Sequence, residues 1–89
     1  MKIKLELFGA SRDFSDKDHL EIEIKDKASV DDLRNEIIKY LDKNFKSNEN
    51  FIKVVRSSAF CSENNEIISD NYKITKDQKI GIIPPIGGG

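Results

Sequence analysis

The chain has 89 residues, of which 37% are hydrophobic, and this is enough for one domain with a single core but not for two. Its 15 Lys and Arg and 16 Asp and Glu give a net charge of −1 with the two signs interspersed, which argues against a nucleic-acid partner because phosphate binding needs a concentrated basic face. The first residues alternate like a strand, without the apolar core of a signal peptide, and no apolar run approaches a membrane span, so we expect a cytoplasmic protein with no membrane partner.

The first third of the chain predicts two strands followed by a helix. Apolar residues alternate with charged ones in two segments, at Ile3, Leu5 and Leu7 and at Leu20, Ile22 and Ile24, so each segment is predicted to be a strand with one buried face. The segment 9–18 between them is short and polar, which favours an antiparallel hairpin.

The spacing of apolar residues then changes to that of a helix, which is predicted over Val30 to Lys43. Ser29 is a suitable N-cap with Asp32 three residues later. The predicted buried face holds Val30, Leu33, Ile37, Tyr40 and Leu41, and the predicted polar face holds Asp31, Arg34, Glu36, Lys39 and Asp42.

The rest of the chain predicts mainly strands. The β-branched run 51–56 indicates a third strand, 63–66 a turn, 67–68 a short edge strand and 79–83 the last strand. The passage 69–76 is predicted to be irregular, with Tyr72 and Ile74 available to cap the core. This order predicts an α+β fold in which a mixed sheet packs on one main helix.

Neither the single cysteine nor the single histidine has the neighbours of a catalytic or metal site. Cys61 lies between apolar and small residues, without a second cysteine nearby, so it is interpreted as a packing residue. His19 follows a polar stretch and is interpreted as a turn or strand-edge residue. We therefore predict no metal site.

The segment Pro84-Pro85-Ile86-Gly87-Gly88-Gly89 contains both prolines and three of the five glycines of the chain. Two prolines cannot continue a central strand, so the tail must leave the fold there, which divides the chain into a domain 1–83 and a tail 84–89. A terminal glycine carboxylate has no Cβ beside its acyl carbon, so a nucleophile can approach it with little hindrance. Gly89 is therefore the candidate reactive residue.

An alternative interpretation is that the glycines are only a disordered end or a linker remnant. The residues before them favour a functional tail instead. A cloning linker is typically rich in Gly and Ser, whereas this tail runs straight on from a β-branched strand, and no residue after Lys79 is charged. An exposed apolar tail of this kind favours burial in a partner protein.

The order of elements and the segment from Ile82 to Gly89 resemble the ubiquitin-like β-grasp sulfur carriers of the MoaD/ThiS family, with the Pro-Pro pair typical of its MoaD branch. The segment from Ile3 to Asp13 is similar to the family's opening strand and loop, and Ser29 to Leu33 to its helix start. The chain departs from the family at Val54-Val55-Arg56-Ser57, where an Ala-Val-Asn stretch is common.

The resemblance implies a fold and a chemistry. The fold is the ubiquitin-like β-grasp. The chemistry is adenylation of the Gly89 carboxylate with ATP, conversion to a thiocarboxylate, and donation of the sulfur to a cyclic pyranopterin in molybdenum cofactor biosynthesis. On this view the chain is the non-catalytic, sulfur-donating small subunit of a synthase and binds no cofactor tightly, since ATP is used by the activating enzyme.

The partners that the resemblance implies are a large subunit, MoaE, in a heterotetramer, a MoeB-like adenylyltransferase and a sulfur donor protein. Gly87 and Gly88 are expected to pass through a channel of the large subunit, and Pro84, Pro85 and Ile86 to form an apolar collar at its mouth. Phe8 and Phe60 are further candidates for the interface, although large aromatic residues are more often core than contact.

Three other functions stay open. The chain could be a sulfur carrier for thiamine, cysteine or tRNA thiolation, which uses the same chemistry at Gly89 with another acceptor. It could be a protein modifier that forms an isopeptide bond to lysine, or a passive β-grasp interaction domain whose tail is an extended contact.

Overall fold

The computed structural model describes residues 1–46 and 48–85. Within these residues the order of elements is β1 Lys2–Leu7, a 3₁₀ helix Gly9–Phe14, β2 His19–Glu23, α1 Val30–Asn44, α2 Glu49–Ser57, β3 Ala59–Cys61, β4 Ile67–Ile68 and β5 Gln78–Ile83. The predicted α+β class is confirmed.

The strands form a five-stranded mixed sheet in the order β2-β1-β5-β3-β4. β1 and β2 are antiparallel, as predicted for the hairpin, and Leu5 lies opposite Leu20. The last strand, β5, runs parallel to β1 and antiparallel to β3, so it occupies the centre of the sheet. The tail therefore begins at the end of a central strand.

One face of the sheet is covered by the helices and forms the core. Ile3 and Leu5 of β1 and Ile80 and Ile82 of β5 have no exposed surface. On α1 the predicted buried face is confirmed for four of its five residues, because Val30, Leu33, Ile37 and Leu41 are fully buried. Tyr40 is partly buried and packs against the core from its margin.

The start of α1 is fixed by Ser29 and by the passage 69–74. The Ser29 hydroxyl accepts a hydrogen bond from the backbone N–H of Asp32 at 3.1 Å, and the Asp32 carboxylate accepts one from the Ser29 N–H at 2.9 Å. The carbonyls of Tyr72 and Asp70 accept from the N–H groups of Val30 and Asp31. The first four N–H groups of the helix are thereby satisfied, since that of Leu33 bonds to the Ser29 carbonyl.

The predicted third strand over 51–56 is wrong, because these residues belong to the helix α2. Asn48 caps this helix by accepting hydrogen bonds from the N–H groups of Asn50 and Phe51. Phe51 and Val55 then fall on one face, where the Phe51 ring lies 5.1 Å from the ring of Phe14. The β-branched residues suit a strand, but their apolar face is buried with helical spacing, and tertiary packing overrides propensity. The third strand is the shorter segment Ala59–Cys61.

Arg34 is the second departure from the sequence prediction, since its guanidinium lies largely inside the fold rather than on the polar face of α1. Its side chain is 11% exposed. Nη1 donates hydrogen bonds to the carbonyls of Val55 at 2.7 Å and Ser58 at 2.9 Å, and Nη2 pairs with Asp70 Oδ1 at 2.6 Å. The guanidinium carbon also lies 4.9 Å from the ring centroid of Phe60. Arg34 thus joins α1 to the C-terminal end of α2, to β3 and to the 69–74 passage.

The irregular passage contributes one core residue rather than two. Ile74 is fully buried, as predicted, and its N–H donates to the carbonyl of Ala28 at 2.8 Å. The prediction for Tyr72 is wrong, because its side chain is 43% exposed.

Candidate functional site: the tail exit and its surroundings

The strand β5 ends at Ile83, and the predicted tail begins at Pro84; we call this junction the tail exit. Leu7, the last residue of β1, lies beside Ile82, and Ala59, the first residue of β3, pairs with Ile83. Pro84 has no N–H and cannot extend this ladder of hydrogen bonds. The strand β5 therefore stops at the position where its pairing with β1 and with β3 also ends. The sequence prediction of a last strand over 79–83 is confirmed, with β5 one residue longer at its start, whereas the division into a domain 1–83 and a tail 84–89 stays a prediction.

Pro84 is half-buried against the loop that follows β1. A Cβ built on Gly9 would lie 3.9 Å from Cδ and Cγ of Pro84, which is ordinary contact distance. Gly9 itself has a φ of +55°, in the left-handed region that favours glycine. The first residue of the tail therefore packs against the turn at Gly9. Ile86, Gly87, Gly88 and Gly89 lie outside the described residues, so their predicted roles stay predictions.

An apolar surface lies beside the exit, on the face of the sheet opposite the helices. Phe8 is 44% exposed, Ile67 is 67% exposed and Ile83 is 37% exposed. The pairing of the strands places Ala59, Ile67 and Ile83 on this same face. We call the residues Phe8, Ala59, Ile67 and Ile83 the outer apolar surface. Surfaces of this kind on small domains typically bind proteins.

The position of Phe8 depends on Gly81 and Ser11. A Cβ on Gly81 would lie 3.0 Å from Cε2 of Phe8 and 2.8 Å from Sγ of Cys61, so only glycine leaves room for both side chains. The buried hydroxyl of Ser11 accepts from the Phe8 N–H at 2.9 Å and donates to the Phe8 carbonyl at 2.7 Å. The backbone of Phe8 is thus held while its ring lies over β5.

The two aromatic candidates of the sequence analysis are separated by the structure. Phe8 is on the outer apolar surface, beside the exit. Phe60 is only 1% exposed and belongs to the core, beneath the guanidinium of Arg34. The assignment of Phe60 to a partner surface is therefore corrected, because in this fold its ring has no surface to offer a partner.

Cys61 and His19 occupy the positions that their sequence context indicated. Cys61 is a free thiol, 7% exposed, and packs beside Gly81. His19 begins the edge strand β2, and its Nδ1 lies 3.0 Å from Oδ1 of Asp18. This hydrogen bond holds the pKa of Asp18 below its ordinary value. Among the described residues no group of three His, Cys, Asp or Glu could hold a metal ion.

One ion pair lies on the same outer face of the sheet. Glu6 of β1 and Lys79 of β5 approach to 2.8 Å between Oε1 and Nζ, and this hydrogen bond raises the pKa of Lys79. Glu6 pairs with Gly81 in the β1–β5 register. The ion pair therefore borders the outer apolar surface on the side of β1.

A groove of about 520 Å³ lies on the other side of the exit. Pro84 and Pro85 line it together with the 3₁₀ helix, through Ala10, and with α2, through Val54 and its charged neighbours Lys53 and Arg56. Sequence reasoning missed this groove because it placed 51–56 on a strand. The cap residue Asn48 and the helical spacing of Phe51, Val54 and Val55 are the signals in the sequence that could have identified α2, the helix that lines the groove.

Comparisons with known proteins agree with this geometry. A model of the ThiS family matches residues 5–89. Among solved structures, the chain is similar to a protein from Pyrococcus furiosus named molybdopterin converting factor, subunit 1, with a TM-score of 0.69 and 26% identity over 96% of this chain and 98% of that one. It is also similar to SAMP1 from Haloferax volcanii, with a TM-score of 0.68 and 13% identity over 100% of both chains, a likeness that shows the fold alone. No curated protein matches the sequence. In the described part of the chain, no helix has the length and apolar character to cross a membrane.

Proposed function

Because the chain belongs to the ThiS family of ubiquitin-like sulfur carriers, we propose that it carries sulfur as a thiocarboxylate on Gly89. The observation that carries this proposal is the exit of the tail from the central strand β5 through Pro84 and Pro85. The match to the family model extends to residue 89, so the glycines belong to the matched region. In this proposal partner proteins bind the folded domain, and the tail carries the sulfur.

The proposed reaction begins by activating a poor electrophile. The carboxylate of Gly89 carries a negative charge that repels a nucleophile, so an activating enzyme first joins it to AMP from ATP and releases pyrophosphate. A sulfur donor that carries a persulfide then attacks the acyl carbon, and AMP leaves with its electron pair, which gives an acyl disulfide. A thiol then reduces the sulfur–sulfur bond and is itself oxidised to a disulfide, which releases the donor thiol and leaves the thiocarboxylate. Gly89 suits both steps because no Cβ obstructs the acyl carbon. The activating enzyme, of the MoeB type, supplies the catalytic groups.

We propose that the sulfur acceptor is a cyclic pyranopterin and that the product is the dithiolene of molybdopterin. Two observations support this choice over other acceptors. The Pyrococcus furiosus relative is named as a molybdopterin converting factor subunit, and Pro84-Pro85 precedes the glycines as in the MoaD branch. Thiamine or tRNA thiolation and protein modification are the alternatives, and they differ in the acceptor rather than in the activation of Gly89.

We further propose that a large synthase subunit, of the MoaE type, docks on the outer apolar surface. Phe8 and Ile83 flank the exit and are both exposed, so a partner that covers them also lies over the start of the tail. Pro84 and Pro85 keep the tail extended, and Gly87 and Gly88 let a narrow channel admit it. Burial of exposed aromatic and aliphatic side chains supplies the affinity.

The test is the intact mass of the chain after incubation with ATP, a MoeB-type activating enzyme and a sulfur donor. The wild type is expected to gain the mass difference between sulfur and oxygen, and a chain that lacks Gly89 is expected to gain nothing. The free energy of unfolding of the two chains should agree, because the described core ends before the glycines. A shortened chain that gains the same mass would contradict the role of Gly89.

The acceptor is tested in a second step with the thiocarboxylated chain, the large subunit and the pyranopterin. Formation of the dithiolene supports the molybdopterin assignment. A thiocarboxylated chain that transfers no sulfur in this mixture moves the assignment to another sulfur pathway, and recovery of Gly-Gly remnants on lysines of other proteins moves it to protein modification.

A further inference from the structure

The groove beside the tail exit has a charge that the rest of the chain does not share. Lys53 and Arg56 line it, and none of the described residues lining it is acidic. Both side chains belong to exposed residues, and neither forms an ion pair within residues 1–46 and 48–85. The chain as a whole has a net charge of −1 with the signs interspersed. The groove is therefore a local cationic site on a nearly neutral molecule.

The two cations lie on one face of α2 because they are three residues apart in a helix. Val54 lines the same groove and is its apolar contribution from α2. Lys53 offers a mobile point charge, and Arg56 offers a planar fork that can hold both oxygens of a carboxylate. This combination fits a carboxylate-bearing segment better than a neutral one.

The position of the groove determines which partner protein can contact it. Pro84 and Pro85 form one of its walls, so an enzyme that receives the residues after Pro85 must lie close to Lys53 and Arg56. The outer apolar surface is on the opposite face of the sheet, across the exit. A partner that encloses the tail thus meets an apolar surface on one side and a cationic groove on the other.

We propose that the groove formed by α2, the 3₁₀ helix and Pro84-Pro85 binds an acidic segment of the enzyme that activates the tail. This inference rests on the proposed function, because that function requires such an enzyme. Lys53 and Arg56 pair with carboxylates of the segment, and this pairing draws the enzyme to the exit and sets its orientation. Exposed charges of this kind act mainly on the rate of association and are screened by salt.

The experiment compares two charge-reversed variants of the full chain. The first is K53E/R56E. The matched control is K2E/K25E, because Lys2 and Lys25 are exposed and lie at the opposite end of the sheet, where Lys2 pairs with Glu23. Each variant replaces two positive charges by two negative ones and so changes the net charge from −1 to −5. Thermal unfolding of all three chains verifies that each is folded.

The measured quantities are kcat/KM for thiocarboxylate formation by the activating enzyme and the association rate of the two proteins. K53E/R56E is expected to lower both by about tenfold or more at low salt, with the difference shrinking as salt is added. K2E/K25E is expected to stay within about twofold of the wild type. Equal losses of kcat/KM and association rate in both variants would mean that the effect comes from net charge, and this would overturn the proposal. Unchanged values of both quantities in K53E/R56E would also overturn it.

The two proposals fail in different ways. A wild-type chain that gains no sulfur overturns the proposed function, and the groove inference falls with it. A wild-type chain that is thiocarboxylated while K53E/R56E is equally active leaves the proposed function intact and overturns only the groove inference. If the wild type binds anionic lipid vesicles and K53E/R56E does not, while K53E/R56E has no effect on the enzyme, the inference is overturned and the groove is assigned to a membrane surface instead.

Discussion

Arg34 joins several elements that are distant from one another in the sequence. Its guanidinium bonds the carbonyls of Val55 and Ser58, which lie at the end of α2 and just before β3. Helix ends leave carbonyls without partners, and a cation there satisfies them and interacts favourably with the helix dipole. The side chain is 11% exposed, so water cannot easily replace these bonds. Arg34 therefore fixes the orientation of α2, which lines the tail groove.

Replacing Arg34 by methionine is expected to lower the free energy of unfolding by about 2 kcal/mol, because bonds from a charged donor are lost and the carbonyls stay buried. Urea denaturation measures the change. The matched variant Asp70→Asn removes only the ion pair with a carboxylate whose side chain is 63% exposed, and it should cost less than about 1 kcal/mol. Equal costs for the two variants would assign the effect of Arg34 to the ion pair rather than to the carbonyls.

The carboxylate of Asp32 makes the stability of the protein depend on pH. Its carboxylate accepts from the Ser29 N–H, and this bond lowers its pKa below the ordinary value of 3.8. A carboxylate with a lowered pKa in the folded state stabilises the protein above its unfolded pKa, and this contribution is lost as the pH falls through the folded pKa.

The stability advantage of the wild type over Asp32→Asn is therefore expected to be complete at neutral pH and to shrink below about pH 4. Thermal unfolding at a series of pH values measures it. Asp31→Asn is the matched control, because it removes a carboxylate from the same turn that does not bond to Ser29. An advantage over Asp32→Asn that persists unchanged in acid would contradict the role of this bond.

At the scale of elements, the outer face of the sheet is packed around a glycine. Gly81 lies in β5 between Cys61 and the ring of Phe8, and a Cβ there would be only 2.8 Å from the cysteine sulfur. Cys61 is buried and short, so its sulfur has little freedom to move away. The glycine is thus a packing requirement of this face, which holds Phe8 beside the tail exit.

Gly81→Ala is expected to lower the free energy of unfolding by roughly 1–3 kcal/mol through overpacking. Removing the sulfur in the double variant G81A/C61A should recover part of this loss. A double-mutant cycle from urea denaturation measures the coupling, and C61A alone supplies the reference. Strictly additive effects would mean that the sulfur is not the obstacle.

The elements also show how far the sequence could predict the fold. Alternation identified β1 and β2, and the capped, periodic segment identified α1, because each of these has one clearly apolar face. The β-branched residues of 79–83 identified β5. The segment 51–56 was misassigned because its β-branched residues suit a strand, whereas the cap at Asn48 and the contact between Phe51 and Phe14 make it a helix. The end of β5 at Ile83 could be predicted from Pro84 and Pro85. The groove and Arg34 could not, because they depend on where α2 packs.

At the scale of the whole molecule, β5 connects the two halves of the sheet. It pairs with β1 on one side and with β3 on the other, and its Ile80 and Ile82 are fully buried. Without it, β1 and β2 would form an isolated hairpin, and such hairpins are at best marginally stable in water. The stability of the domain therefore depends on the segment that directly precedes the tail.

A chain that ends at Asp77 is expected not to fold, whereas a chain that ends at Pro85 is expected to unfold with nearly the midpoint of the full chain. Circular dichroism with thermal denaturation measures both. The comparison separates the loss of β5 from the loss of the residues after it. A cooperative transition in the shorter chain would contradict the central role of β5.

The central position of β5 has a consequence during synthesis. A ribosome must deliver residues up to about the start of the tail before the sheet can close, so nearly all prematurely terminated products lack a stable core and are open to proteolysis. A folded domain without the glycines arises only when synthesis stops after β5 is complete and before residue 87. The topology thus makes completion of β5 a condition for the chain to escape proteolysis.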